Sequence, residues 1–269
     1  MIFISRCPES ELLQKQHFSH LFFNGNQLKY SIIIPTLNEE NLIENLLKEL
    51  CNKQLREKYH FELIISDGGS SDNTINIASN YDIRLIKHNS DNRQNISAGR
   101  NIGATHANGE ILIFVNADVT CSDWELLFDQ VNLCLGENNY SAFTCAVDIN
   151  DAEKIFADRI FMNFYNYYFH FLNIIGIGMG RGECQVIKKD VFNLVGSYNE
   201  NIIAGEDFDL FKRVRKIGNI YFSHKVTIYE SPRRYRKYGH TRIFLTWLFN
   251  SVFVIFRQKS LSKQWEEVR

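Results

Sequence analysis

The chain has 269 residues, 45% of them hydrophobic and 13% aromatic, with a formal net charge of −1. This composition excludes a disordered or fibrous chain and supports one large core or two small ones. The near-neutral total conceals an uneven spread: residues 231–269 carry nine Lys/Arg against two Asp/Glu, leaving 21 against 29 for residues 1–230.

Residues 1–29 form an appendage, with a short helix expected over Glu9–Phe23 and a turn at Asn24-Gly25-Asn26. Tyr30–Ile34 reads as an apolar strand closed by Pro35. Thr36-Leu37-Asn38-Glu39 then has the pattern of a capping box, and Leu42, Ile43, Leu46, Leu47 and Leu50 make one helix face. The pattern repeats: strand Phe61–Ser66, tight turn Asp67-Gly68-Gly69-Ser70, and a helix opened by Ser71-Asp72-Asn73-Thr74. Strand Ile83–Ile86 and helix Asn95–Ala107 follow, and Gly99, Gly103 and Ala107 form a smooth stripe that lets this helix approach a sheet closely. Strand and helix alternating over about 90 residues predict βαβ units and a largely parallel sheet.

Ile111–Val115 is a continuous apolar run, the mark of a strand buried on both faces. Asn116-Ala117-Asp118 ends it, where ligands bind in open α/β sheets. Asn116 and Asp118, two apart, would project to one side if extended, and a carboxylate beside an amide oxygen suits a hard divalent cation bridging to phosphate. A strand end with a helix-capping Asp is the plainer alternative.

In the second half, Ser141–Val147 reads as a strand and Ala152–Ile175 as a long aromatic helix. The helix bears a polar stripe of Arg159, Asn163, Asn166, His170 and Asn173. The glycine-rich 176–182 loop does not fit G-x-G-x-x-G and follows no strand, so it is not a dinucleotide fingerprint, and no P-loop is present. Strand Glu183–Ile187 and helix Glu206–Ile217 follow, with Asn219–Tyr229 as the last strand. Glu206, Asp207 and Asp209 gather three carboxylates in one turn, suiting either a helix N-terminus or a general base near a sugar hydroxyl.

The tail begins Ser231-Pro232-Arg233-Arg234-Tyr235-Arg236-Lys237 and continues into the apolar run Ile243–Phe256, flanked by Arg242, Arg257 and Lys259. That run is too short to span a bilayer, and two readings stand: a basic-flanked interfacial helix, or a helix docked on the body or on a second subunit as in a homodimer. An anionic membrane surface suits the Phe/Trp/Val-rich tail better than nucleic acid, so no nucleic acid partner is expected. Six cysteines (Cys7, Cys51, Cys121, Cys134, Cys145, Cys184) lack metal or redox spacing and read as reduced, mostly buried thiols of a cytosolic protein. Met1–Ile4 has no apolar core long enough for a signal peptide, and no stretch reaches about 18 uninterrupted apolar residues, so no conventional span is expected.

Taken together, Ile33–Glu39, Asp67–Thr74, Gly99-Arg100-Asn101-Ile102-Gly103, Gly109-Glu110 with Asn116-Ala117-Asp118, and Gly205–Leu210 resemble the motifs of a family 2 glycosyltransferase. The resemblance covers roughly residues 30–229. It implies a single GT-A type, Rossmann-like α/β domain with a mixed, mostly parallel sheet flanked by helices, plus a basic, aromatic helical tail. The domain would span 30–230, with 30–120 as the nucleotide-sugar half, 121–230 as the acceptor half and 231–269 as the tail. It implies that Pro35, Thr36, Leu37, Asn38, Glu39, Asp67, Gly68, Arg100, Asn116 and Ala117 bind the donor. Asp118 would hold Mg²⁺ or Mn²⁺, and Asp207, with Glu206 beside it, would serve catalysis by deprotonating the acceptor. Two departures stand out: the usual Asp-x-Asp is Asn116-Ala117-Asp118, and there is no Gln-x-x-Arg-Trp signature or multi-span channel.

The resulting expectation is a non-processive, inverting transferase moving a sugar from a UDP-sugar, with a GDP-sugar as the rival donor. Its acceptor would be lipid-linked or a saccharide, at the inner face of the membrane, and the tail segment resembles that of a bacterial subgroup. The alternative from another class is a non-catalytic nucleotide- or membrane-binding relic of such an enzyme.

Overall fold

The computed structural model describes residues 29–89, 94–202 and 204–247. The expected 9–23 helix and residues 248–269 of the tail lie outside this set. Eight strands form one mixed sheet: β1 (Tyr30–Thr36), β2 (Phe61–Asp67), β3 (Arg84–Lys87), β4 (Ile111–Val115), β5 (Val119–Cys121), β6 (Ala142–Asp148), β7 (Cys184–Lys188) and β8 (Ile220–Glu230). Their spatial order is β3-β2-β1-β4-β7-β6-β8-β5. The β1–β2, β2–β3, β1–β4 and β6–β8 pairs are parallel; β4–β7, β6–β7 and β5–β8 are antiparallel. The chain first builds β1 to β3 in one direction and then sets β4 on the other side of β1. That reversal opens a crevice at the carboxyl ends of β1 and β4.

Among the described residues the helices are α1 (Ile43–Leu50), α2 (Lys53–Tyr59), α3 (Thr74–Ala78), α4 (Ile96–Thr105), α5 (Trp124–Val131), α6 (Phe156–Ile174), α7 (Lys189–Leu194), α8 (Glu206–Arg215) and α9 (Arg233–Tyr238); residues 240–247 are also helical. The alternation of each strand sorts the core into two layers. Tyr30, Ile32 and Ile34 of β1 pack with Leu46, Leu50 and Phe128 from α1 and α5. Ile33 faces the other way, into the layer holding Ala104, Phe192, Leu210 and Phe211 from α4, α7 and α8. The small-residue stripe on α4 behaves as expected: a Cβ on Gly103 would lie 2.4 Å from Ile33 Cγ2, so only glycine permits this approach.

Three expectations change. Thr36-Leu37-Asn38-Glu39 is not a capping box, because β1 runs on to Thr36 in register with Asp67 and α1 begins only at Ile43. Thr36 Oγ1 therefore donates to Asp67 Oδ1 (3.1 Å) across the strands rather than to a helix end. Residues 119–140, without elements in the sequence reading, hold β5, α5 and a π-helical turn at Asn132–Glu137. The signal was present: Asp123 caps α5 through the Leu126 N–H (3.0 Å), and Trp124, Leu127, Phe128 and Val131 recur at helical spacing.

The third change concerns α6 and the tail. The polar stripe is split: Asn166 and Asn173 are buried, while Arg159 and Asn163 are exposed. Asn166 accepts from the Val147 N–H and donates to the Val147 carbonyl, both at 3.0 Å. It takes the side of β6 that β7 leaves open, since β7 pairing ends at Thr144. The aromatic face of α6 instead points outward, with Phe156 77% and Tyr167 69% exposed beside Ile160, Phe164, Phe171 and Ile174. Residues 231–247 dock on the body. Tyr235 and Ile243 are buried with Met162 and Ile149, and Phe244 and Trp247 pack on the Tyr165–Phe169 cluster of α6. Arg236 and His240 both bind the fully buried Asp158 carboxylate near the start of α6 (2.6–2.9 Å). So Arg233 and Arg236 pair with acids of the body, and of the bases in the described part of the tail, Arg236, Lys237 and Arg242 are exposed.

Candidate active site

The loops after β1 and β2 are fastened to each other. Asn38 N–H donates to Ser70 Oγ (2.8 Å), Glu39 N–H to Thr74 Oγ1 (2.8 Å), and Ser71 N–H to Asn38 Oδ1 (2.8 Å). Asn38 sits at φ 56°, a left-handed conformation that asparagine tolerates. Its Nδ2 is buried without a partner. Asp67 is only 1% exposed. Its carboxylate accepts from the Gly69 and Ser70 N–H groups (3.0 and 2.9 Å), from Ser70 Oγ (2.5 Å) and from Thr36. In this arrangement Asp67 shapes the turn from within. Gly68 lies beneath it, its N–H donating to the Thr36 carbonyl (2.8 Å), while Pro35 and Leu37 are half-buried along the same edge.

Across the crevice, Asn116 and Asp118 do not converge. The strand ends at Val115 and the chain turns over Ala117 and Asp118, so the two side chains meet different partners. Asn116 Oδ1 accepts from Arg100 Nη2 (3.0 Å). Asp118 Oδ2 accepts from Arg233 Nη2 (3.0 Å), which also reaches Glu39 Oε2 (3.1 Å). Ala117, between them, is buried. Burial first, and Asp118 second, push the Glu39 carboxyl up to about 7 against the pull of Arg233.

Arg100 is fully buried, at 0% exposure, and lies behind the crevice rather than on its surface. Its Nη2 donates to Asn116 and to the Gly182 carbonyl (2.8 Å), and its Nη1 to Glu206 Oε1 (3.0 Å). Burial opposes its charge, but Tyr198, Glu206 and Asp207 hold the guanidinium protonated. One side chain thus joins the end of β4, the glycine-rich loop and the acidic turn of α8.

The two acids of that turn have different surroundings. Glu206 is buried and ion-paired to Arg100. Asp207 is half-buried; its Oδ2 accepts from the Gly182 N–H (3.0 Å) and its Oδ1 from the Phe208 N–H (2.8 Å). Burial, then Glu183 nearby, push the Asp207 carboxyl above its ordinary value, the direction that suits a proton acceptor near neutral pH. Asp209, the third acid, is buried and paired with Arg213 (2.7 Å).

Sequence reasoning missed Arg233, which it grouped with the tail, and a buried cluster in which Arg181 pairs with Glu183 (3.1 Å) and with Glu230, whose carboxylate accepts from the Tyr235 hydroxyl (2.7 Å). Gly180-Arg181-Gly182-Glu183 carried a local hint, but Glu230 and Tyr235 lie about 50 residues away.

The oxygens facing Arg233 suit a divalent cation. Magnesium-like ions are commonly held by one or two carboxylates completed by substrate phosphate and water. Glu39 and Asp118 supply two such carboxylates, already gathered around a cationic group; Asn116, committed to Arg100, is not a third donor. Among the described residues no cluster of three or more His, Cys, Asp or Glu is poised for a metal.

Residues 31–196 match the family model described as glycosyl transferase family 2. The chain belongs to that family. Staphylococcus aureus TarS, a poly(ribitol-phosphate) β-N-acetylglucosaminyltransferase, is 34% identical over 94 residues, covering 34% of this chain and 16% of TarS. Its residues 1–349 in complex with UDP-GlcNAc superpose with a TM-score of 0.55 at 17% identity, over 83% of this chain and 67% of that one. The Campylobacter jejuni GalNAc(5)-diNAcBac-PP-undecaprenol β-1,3-glucosyltransferase is 33% identical over 94 residues, 34% of this chain and 29% of its own length. The mannosyltransferase PcManGT from Pyrobaculum calidifontis, solved with GDP-Man and Mn²⁺, shares the fold at TM-score 0.65 and 20% identity, over 85% of this chain and 65% of PcManGT. The matched stretches therefore span under a third of the length of these two curated relatives.

Proposed function

We propose that this chain transfers a sugar from a nucleotide-sugar, UDP-linked, to a hydroxyl of a lipid-linked or saccharide acceptor, one sugar per encounter and with inversion. The observation that carries the reading is the Arg100 bridge, which holds the β4 end, where a donor diphosphate would lie, and the Glu206-Asp207 turn within the reach of one side chain. Asp207, half-buried and raised in pKa, takes the acceptor proton as the acceptor oxygen attacks the anomeric carbon. The bond from that carbon to the phosphate oxygen breaks, and its electron pair leaves with the nucleoside diphosphate. Glu206 keeps Arg100 charged and in place. Glu39 and Asp118 would hold Mg²⁺ or Mn²⁺, which when bound neutralises charge on the departing diphosphate.

A lipid-linked acceptor, and a position at the inner face of a membrane, are supported by the outward aromatic face of α6 and by exposed Lys237 and Arg242 in the adjoining segment. Among the described residues no helix is long and apolar enough to cross a membrane. Of the relatives, one is named for an undecaprenol-linked acceptor, in line with the lipid-linked reading, and the other for a poly(ribitol-phosphate), a polymeric one.

The test is nucleoside diphosphate release from a panel of UDP- and GDP-sugars, with Mn²⁺ and prenyl-diphosphate-linked sugars as acceptors, product anomers being read by NMR. Acceptor-stimulated release from a UDP-sugar is expected. Binding and turnover of no nucleotide-sugar would refute the reading.

A further inference from the structure

The crevice already contains a cation. Arg233 Nη2 lies 3.1 Å from Glu39 Oε2 and 3.0 Å from Asp118 Oδ2, one acid from the β1 loop and one from the turn after β4. The arginine opens α9 and meets them across 194 and 115 positions of sequence. Its Nε is buried and donates to nothing. Its side chain remains 27% exposed, so the guanidinium lies at the rim.

Two carboxylates facing one guanidinium leave no positive charge to spare for a nucleoside diphosphate. A divalent cation on the carboxylates reverses this and frees the guanidinium, whose planar fork matches phosphate oxygens. Little else has to move. Buried Tyr235 and the Arg236–Asp158 pair pin α9 to the body, so a side-chain rotation suffices and Arg233 stays within reach of the crevice.

We propose that Arg233 is the exchangeable cation of this site: it holds Glu39 and Asp118 together until a divalent ion takes their oxygens, then turns to the donor's diphosphate. The inference rests on the function proposed above and adds a diphosphate-binding residue to it. It also accounts for Asn116. With Glu39 as the second anion, an aspartate at 116 is not required, and the amide oxygen serves Arg100 instead. When the sugar–phosphate bond breaks, the guanidinium faces the oxygen that gains charge.

The full chain is titrated with Mn²⁺ alone, followed by the EPR signal of free Mn²⁺, and with UDP and GDP at saturating Mn²⁺ by calorimetry. Arg233→Met removes the competitor and the diphosphate clamp together. It is expected to bind Mn²⁺ roughly tenfold tighter and the diphosphate roughly tenfold weaker, each about 1.4 kcal/mol. Arg233→Lys keeps the charge without the fork and falls between the two. Changes of opposite sign are the signature; affinities that fall together, or do not move, overturn the proposal. Should Arg233→Met fail to fold, Glu39→Gln decides, since the proposal requires its Mn²⁺ affinity to fall and an unchanged value sinks it. A wild-type chain that binds neither UDP nor GDP defeats the functional reading itself. Diphosphate binding that ignores position 233 defeats only this inference.

Discussion

The two sides of the crevice are built from different materials. On the side proposed to hold the donor, the loops after β1 and β2 close on one another through backbone N–H groups, serines, threonines and the Asp67 carboxylate, and most bonds join two adjacent loops. On the side proposed for the acceptor, buried charges from remote elements meet: Arg100 with Glu206, Arg181 with Glu183 and Glu230. Local bonds given by backbone amides and hydroxyls are individually modest and tolerate loss, whereas a buried ion left without its partner is costly. The donor side should therefore yield gradually to substitution and the acceptor side abruptly.

The sharpest way to break that contrast is Arg100→Met, which strands Glu206. A loss of about 3–5 kcal/mol is expected by chemical denaturation, and partial recovery in the double variant with Glu206→Gln. A single variant as stable as wild type would end the argument. Next comes Asp207→Asn, expected to lower turnover by roughly 10²-fold with donor affinity nearly kept. Near-normal activity would return Asp207 to a helix-terminus role. Third is the latch at Asp158. Burial alone would raise its pKa, but Arg236, the Ile155 N–H and His240 hold it down to about 2. A depressed carboxylate stabilises the fold above its unfolded pKa of about 3.9 and loses that effect as pH falls toward 2, worth up to about 2 kcal/mol. Wild type should lose more stability over that window than Asp158→Asn, because other depressed carboxylates titrate in both; parallel curves would remove the latch. The smallest effect is on the donor side, where Ser70→Ala is expected to cost about 1 kcal/mol. A cost equal to that of Arg100→Met would erase the distinction between the two sides.

What could be read from the sequence follows the same division. β1, β2, β4 and α4 announce themselves by runs and periods within a dozen residues, and the motifs after β1, β2 and β4 fall at the strand ends where ligands bind. Arg233 does not announce itself, because a base in a basic run looks like a solvated or membrane-facing charge until the fold sets it against Glu39 and Asp118. Glu206 and Asp207 look alike as letters, and only Arg100 and Gly182 distinguish the buried anchor from the half-buried carboxylate. α6 misleads for a related reason. Its aromatic majority would normally mark the inner face, but Asn166 turns inward to satisfy the Val147 backbone of β6 and Asn173 to satisfy the Met179 backbone of the glycine-rich loop.

That asparagine pairing has a kinetic consequence. Asn166 does for Val147 what a neighbouring strand does elsewhere, and the arrangement lasts only while α6 lies on the sheet. In deuterated solvent the Val147 amide should exchange at the rate at which α6 lifts, while Ile113, deep in β4, waits for global unfolding. A single backbone proton thus acts as a clock for this helix. Run with and without lipid, it would time how often α6 lifts from the sheet.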